Sequence, residues 1–150
     1  MSPNSHRVAI AILQQRGRLL LQLRDDIPGI VYPGYWAMFG GHIEPGETPE
    51  VAVKRELQEE IGYLAPMVSE FGRYPTPQVV RHVFHAPLAV GVEQLDLKEG
   101  WDLGLWTPEE IQRGDRYSER AGQVRALGTP HRQILLEFLD SEVYDRLDGC

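Results

Sequence analysis

The chain has 150 residues, a formal net charge of -7 and 42% hydrophobic residues, a length that suits one domain over 1–150 able to bury about 68–70% of the surface its unfolded chain exposes. The acidic balance argues against a broad nucleic-acid footprint, and no apolar run approaches the ~20 residues of a membrane helix. The only cysteine, Cys150, excludes an intrachain disulfide.

Taken in chain order, residues 8–13 are a continuous apolar run, Gln14-Gln15-Arg16-Gly17 punctuates it, and 19–23 is apolar again. That pattern predicts strand, turn and strand. Residues 25–34 are rich in Pro and Gly and predict a long loop of the kind that shapes a pocket. A short strand over 35–39 then leads into Gly40-Gly41. A helix is predicted over 49–61, with Thr48 as N-cap, Pro49 at the first helical position and Gly62 as the left-handed stop. Strands follow over 68–74 and, from its β-branched composition, 79–92. A short apolar stretch at 103–106 precedes a capped helix start at Thr107-Pro108. The closing helix is expected over 131–147, with Leu135, Leu136, Phe138, Leu139, Val143 and Leu147 as its apolar stripe. This mixture predicts an α/β protein with helices packed on a mixed sheet.

The helix over 49–61 carries the most chemistry. At about 100° per residue, Val53, Leu57 and Ile61 form a stripe for burial, and Glu56, Glu59 and Glu60 share the adjoining face. Like charges at these spacings oppose each other by about 0.2–0.5 kcal/mol per exposed pair, and by more beside a partly buried loop. A bound cation reverses the sign. Carboxylate oxygens select a hard divalent ion, Mg2+ first and Mn2+ second, whereas a Cys/His site would suit zinc.

The run Gly41-His42-Ile43-Glu44-Pro45-Gly46-Glu47, continued by Arg55-Glu56-Leu57-Gln58-Glu59-Glu60-Ile61-Gly62-Tyr63, resembles the Nudix box, with only Tyr63 a loose fit to an aliphatic position. The resemblance implies the Nudix fold, an α/β/α sandwich, and hydrolysis of a nucleoside diphosphate linked to another group by attack of water at phosphorus. It implies Glu56, Glu59 and Glu60 as metal ligands with the Gly40 carbonyl added, and Arg55 orienting the carboxylates through an ion pair with Glu47. Such folds often supply a further base or ligand from a late loop, and Glu99 lies at the corresponding place; Glu59, Glu60, Glu99, Arg55 and Glu47 are thus the expected catalytic set. Glu44, beside the metal helix, is a weaker candidate.

Outside the box, Arg24 at a strand end is a candidate for holding a phosphate or base, and Tyr32 and Trp101 for stacking a base. Trp36 and Trp106 read as core. His82 and His85, three apart on one strand, fall on opposite faces and form no metal pair. Pro77 falls one residue short of the proline found in ADP-ribose hydrolases, and the box keeps the glutamate that GDP-mannose mannosyl hydrolases lose, which favours P–O–P cleavage. Met38 stands where many relatives carry proline. The substrate class expected is a nucleotide, nucleotide sugar or ADP-ribose-like small molecule. The contrasting readings are a catalytically silent Nudix-like binding or regulatory module and, against the acidic balance, an RNA 5′-end pyrophosphohydrolase. The N-terminus, Met1-Ser2-Pro3-Asn4-Ser5-His6, shows no secretory pattern, so a cytoplasmic monomer or homodimer is expected.

Overall fold

The structure, a computed structural model, describes residues 6–144. Its centre is β1 (His6–Gln15), which pairs in parallel with β6 (Val79–Pro87) along one edge. Its other edge is shared. The C-terminal residues Leu13 to Gln15 pair antiparallel with β2 (Arg18–Leu23), and Val8 to Ala11 pair antiparallel with β4 (Phe39–His42). β3 (Trp36–Ala37) and β7 (Asp102–Trp106) both pair with β2, and β5 (Ser69–Pro75) lies outside β6. The result is a mixed seven-stranded sheet.

The apolar run of β1 is continuous because both of its faces are covered. Ala9, Ala11 and Leu13 pack with Ala52, Val53, Leu57 and Ile61 of α1 (Pro49–Ile61). Ile10 and Ile12 point the other way. They pack with Ile111 of α2 (Pro108–Arg113) and with Ile134, Leu135 and Phe138 of α3 (Thr129–Leu139). One helix on one face and two on the other make the expected α/β/α sandwich. Trp36 and Trp106 are core, buried and in edge-on contact at 5.3 Å.

α1 begins and ends where its capping residues predict: the Thr48 side chain accepts from the Val51 N–H, and Gly62 closes the helix at φ 65°. α2 has a full capping box between Thr107 and Glu110. Three expectations are corrected and one unassigned stretch gains structure. The strand over 35–39 is two strands broken at Met38, whose N–H donates to His131 Nδ1 and not to a ladder. The strand from Val79 stops at Pro87, which has no N–H to donate; the Gln15 amide instead donates to the carbonyls of Leu88 and Val90, and Val92–Gln94 is a single 3-10 turn. The closing helix runs only over Thr129–Leu139, because the Ser141 hydroxyl takes the Phe138 carbonyl and ends the ladder. Val143 is consequently exposed, and Leu147 lies outside the described residues. Finally, 115–126, unassigned in the sequence, forms a separate hairpin of β8 (Asp115–Ser118) and β9 (Gln123–Ala126).

Candidate active site

The site is built from the α1 carboxylates and the glycine pair that faces them. Gly40 sits at φ 145°, where a Cβ would lie 2.2 Å from the Ala9 carbonyl oxygen. Glycine there lets the chain turn its N–H onto Glu60 Oε1 at 2.9 Å. At Gly41 an added Cβ would meet the Glu56 carboxylate at 2.7 Å. The two glycines therefore make room for two acidic groups.

Glu60 is 3% exposed. Burial pushes its carboxyl up to about 8, and the negative charges of Glu56 and Glu99 add to the rise against the lowering effects of the Gly40 N–H and the Gln22 amide. Glu56 is also raised, first by burial and further by the charges of Glu59 and Glu99, although Arg55 opposes this. The loop carrying Glu99 is tied to the end of α1: the Asp96 N–H donates to the Ile61 carbonyl at 3.0 Å and the Lys98 N–H to the Glu60 carbonyl at 2.8 Å. Gly100 follows at φ 104°, a backbone conformation that strains any other residue, and a Cβ there would fit tightly, 3.2 Å from Gln22 Oε1 and 3.3 Å from the Leu23 carbonyl oxygen. A cavity of about 290 Å³ results, lined by Gln22, Arg24, Asp25, Ile30, Glu60, Lys98, Glu99 and Gly100.

Arg55 holds the outer side of this cluster. Its guanidinium grips Glu47 at two points, 2.6 and 3.0 Å, and reaches Glu56 at 2.9 Å, Glu59 at 3.1 Å and the His42 carbonyl at 3.0 Å. The Arg55 hydrogen bond holds Glu47 below the usual carboxylate range, and Glu47 in turn raises the Arg55 pKa further. Glu44 is exposed and touches Arg55 only at 3.9 Å. Glu59, 57% exposed, turns toward Arg55 and away from the cavity. Among the described residues, no three acidic, His or Cys side chains are already gathered closely enough to grip a metal ion. The donor set still fits one: it is oxygen-only and buried in part, and the raised Glu56 and Glu60 carboxyls, shifted first by burial and then by neighbouring carboxylates, are groups a cation would stabilise in their charged form.

A second, larger cavity of about 650 Å³ opens on the α3 side of the sheet and reaches Gly40 and Gly41. Val8, Ile10, Val31 and Met38 give it apolar walls, and Arg24, Tyr32, Arg81 and His131 are among its polar ones. Arg24 borders both cavities, and its Nε is buried without a hydrogen-bond partner among the described residues. Tyr32, at φ 52°, stands edge-on to His131 at 5.8 Å. Trp101 lines neither cavity; its ring lies 5.7 Å from the Arg125 guanidinium. His85 packs beside Phe138, and His82 is outside both cavities as well.

Sequence reasoning missed Gln22, Arg81 and His131. Gln22 left a signal, being the one polar residue in Leu19-Leu20-Leu21-Gln22-Leu23; its amide is 3.1 Å from Glu60 Oε2. His131 and Arg81 left none, because only the tertiary fold brings them to one wall.

Comparison with known proteins defines the class. The model of the NUDIX domain matches residues 3–127. A Bacillus subtilis (strain 168) protein provisionally named an 8-oxo-dGTP diphosphatase is 33% identical over 104 residues, covering 68% of this chain and 66% of its own. A MutT-like protein of Streptomyces ambofaciens is 34% identical over 130 residues, covering 84% and 76% of the two chains. The nucleoside triphosphatase NudI of Enterobacter sp. (strain 638) is 46% identical over 55 residues, or 37% of this chain and 38% of that one. The chain thus spans just under two thirds of the Bacillus relative and little more than a third of the Enterobacter one. Among solved structures, a NUDIX hydrolase from Nitrosomonas europaea superposes with a TM-score of 0.72 at 17% identity, covering 100% of this chain and 78% of that one, which shows the shared fold. The chain belongs to the Nudix hydrolase family.

Proposed function

We propose that the protein is a metal-dependent pyrophosphohydrolase that cleaves the phosphoric anhydride of a nucleoside diphosphate linked to another group, such as a nucleotide, a nucleotide sugar or an ADP-ribose-like compound. The observation that carries this reading is the placement of Glu56, Glu60 and Glu99 in mutual electrostatic contact beside the buried, unpartnered Arg24 Nε. Three like-charged glutamates on one helix oppose each other and weaken the fold unless a cation offsets them. That cost favours an enzyme over a silent binding module. The nucleotide-cleaving names of the relatives agree with it.

Glu56, Glu59 and Glu60, with the Gly40 carbonyl, would hold Mg2+, with Mn2+ as a substitute, in a cytoplasmic monomer or homodimer acting on small molecules. The ion's contribution is to stabilise charge on phosphate oxygens and to acidify a bound water. Arg55 and Glu47 keep the glutamates in place; Glu59 turns from Arg55 when it joins the others. Glu99 takes the proton of the attacking water. Arg24 binds a phosphate oxygen, Tyr32 flanks the base in the larger cavity, and Trp101, displaced from the site, supports the wall through Arg125.

The decisive experiment is a panel of nucleoside triphosphates, nucleotide sugars, ADP-ribose and dinucleoside polyphosphates, assayed for release of phosphate or nucleoside monophosphate with magnesium and with a chelator. Turnover of at least one compound that vanishes in chelator and returns with magnesium supports the reading. Tight binding without turnover supports the silent module instead.

A further inference from the structure

The larger cavity has an unusual polarity. Among the described residues, seventeen line it, and none of these is acidic. Its two full charges, on Arg24 and Arg81, belong to groups that only donate hydrogen bonds. His131 belongs with them for a reason its residue type does not disclose. It is 8% exposed, and Met38 N–H donates to its Nδ1 at 3.1 Å. An accepting Nδ1 in a neutral imidazole puts the proton on Nε2. No residue among those described accepts from that Nε2–H, and His131 is part of the cavity wall. That N–H is open to an acceptor on a ligand in the cavity.

On the reading that this cavity receives the nucleobase, we propose that His131 is a specificity-determining residue that selects bases carrying an oxo group at C6 of a purine or C4 of a pyrimidine, through an Nε2–H donated to that carbonyl. Keto bases such as hypoxanthine, guanine, uracil and thymine present that acceptor. An amino group in its place, as in adenine or cytosine, sets donor against donor. The neutral form persists at working pH, because burial first, and the charges of Arg81 and Arg24 second, bring the imidazole down to about 3. Nε2 therefore has a fixed polarity, and the tautomer is locked by a backbone amide that cannot rotate.

The test uses equilibrium binding of nucleoside monophosphates without magnesium, so that it does not depend on turnover. Inosine monophosphate is compared with purine riboside monophosphate, which lacks the 6-oxo group and the N1–H that accompanies it, and with adenosine monophosphate. The oxo compound should bind about tenfold tighter or more than both, and His131→Phe should bring the ratio to within about twofold. Equal binding by the parent protein, no binding of any of the three, or a ratio unchanged in His131→Phe would overturn the proposal. Because the variant also leaves the Met38 N–H unpaired, nitrogen NMR of the parent protein supplies an independent arm: the His131 Nε2–H resonance should move with inosine monophosphate and stay with purine riboside monophosphate. A resonance that shifts equally with both, or with neither, refutes the contact. Oxo selectivity in a protein that hydrolyses nothing would keep this inference and remove the hydrolase reading; hydrolysis without selectivity would do the reverse.

Discussion

The two cavities meet at Arg24 but are made in opposite ways. The acidic cluster at the smaller one comes mostly from a single helix, with Glu56, Glu59 and Glu60 on α1 and Glu99 carried in by a loop tied to that helix. The larger one is apolar and cationic, assembled from β1, the 25–34 loop, the break at Met38, β6 and the start of α3. Chemistry that must be the same for every substrate can be written locally, with fixed spacing on one helix. Recognition that differs between substrates depends on long-range contacts and can change without disturbing the helix.

The sharpest way to break this contrast is to remove a local charge. Glu60→Gln should lower turnover at least about a hundredfold while leaving the melting temperature without metal unchanged near neutral pH, where Glu60 holds a proton, and higher above about pH 8, where its buried charge is removed. Near-normal turnover would detach the acidic cavity from the chemistry. Leu57→Ala should do the opposite to the fold: Leu57 is fully buried against β1, and its truncation costs about 2–5 kcal/mol. Melting curves of the two variants side by side are the check, and a stable Leu57→Ala protein would mean that α1 is held from its acidic face.

Glu99→Ala should reduce kcat about tenfold or more with little change in KM, whereas Asp102→Ala should leave kcat/KM close to that of the parent. Asp102 accepts from the Ser118 hydroxyl at 2.7 Å and lies outside both cavities. Equal losses at the two positions would show that the loop acts only as a support.

The smallest expected effect is a pH slope in the metal-free protein. Glu60, raised to about 8, holds a proton that the unfolded chain releases near 4.5. Its contribution is present below that value and is lost as pH rises toward 8. His131, lowered to about 3, works the other way, adding stability as pH rises to its unfolded value of about 6.5. His82 and His85 are also lowered, chiefly by burial. Between about 6.5 and 8 the histidine effects have ended and Glu60 dominates, with any contribution of the raised Glu56 carboxyl in the same direction, so stability should fall by up to about 1.4 kcal/mol per pH unit through Glu60. Denaturation across that window should show the slope in the parent and its absence in Glu60→Gln.

The sequence made the acidic half of this comparison readable. Thr48, Pro49 and Gly62 mark both ends of α1 by local chemistry, and the box places Glu56, Glu60 and Arg55 before any fold is known. It also pointed to Arg24 and Tyr32, which the structure puts on the cavity walls. The other half depends on information that no local pattern contains. The break at Met38 follows from a histidine 93 residues away. The 79–92 strand is cut short by Pro87 with help from Gln15. The hairpin of β8 and β9 is so charged that no strand pattern stands out in its residues, and Trp101 is drawn aside by an arginine on that hairpin.

That arginine has one more effect. Arg125 Nε donates to the Gly34 carbonyl at 2.8 Å, and its guanidinium lies 3.5 Å from Asp26 and over Trp101. Gly34 is fitted to this grip, since a Cβ there would lie 2.0 Å from the guanidinium. A ten-residue loop that would otherwise sample many shapes is thus fastened at its far end by a strand remote in sequence. The freedom of Val31 and Tyr32 is surrendered when the chain folds, so a ligand meets a wall already in place and loses little entropy in ordering it.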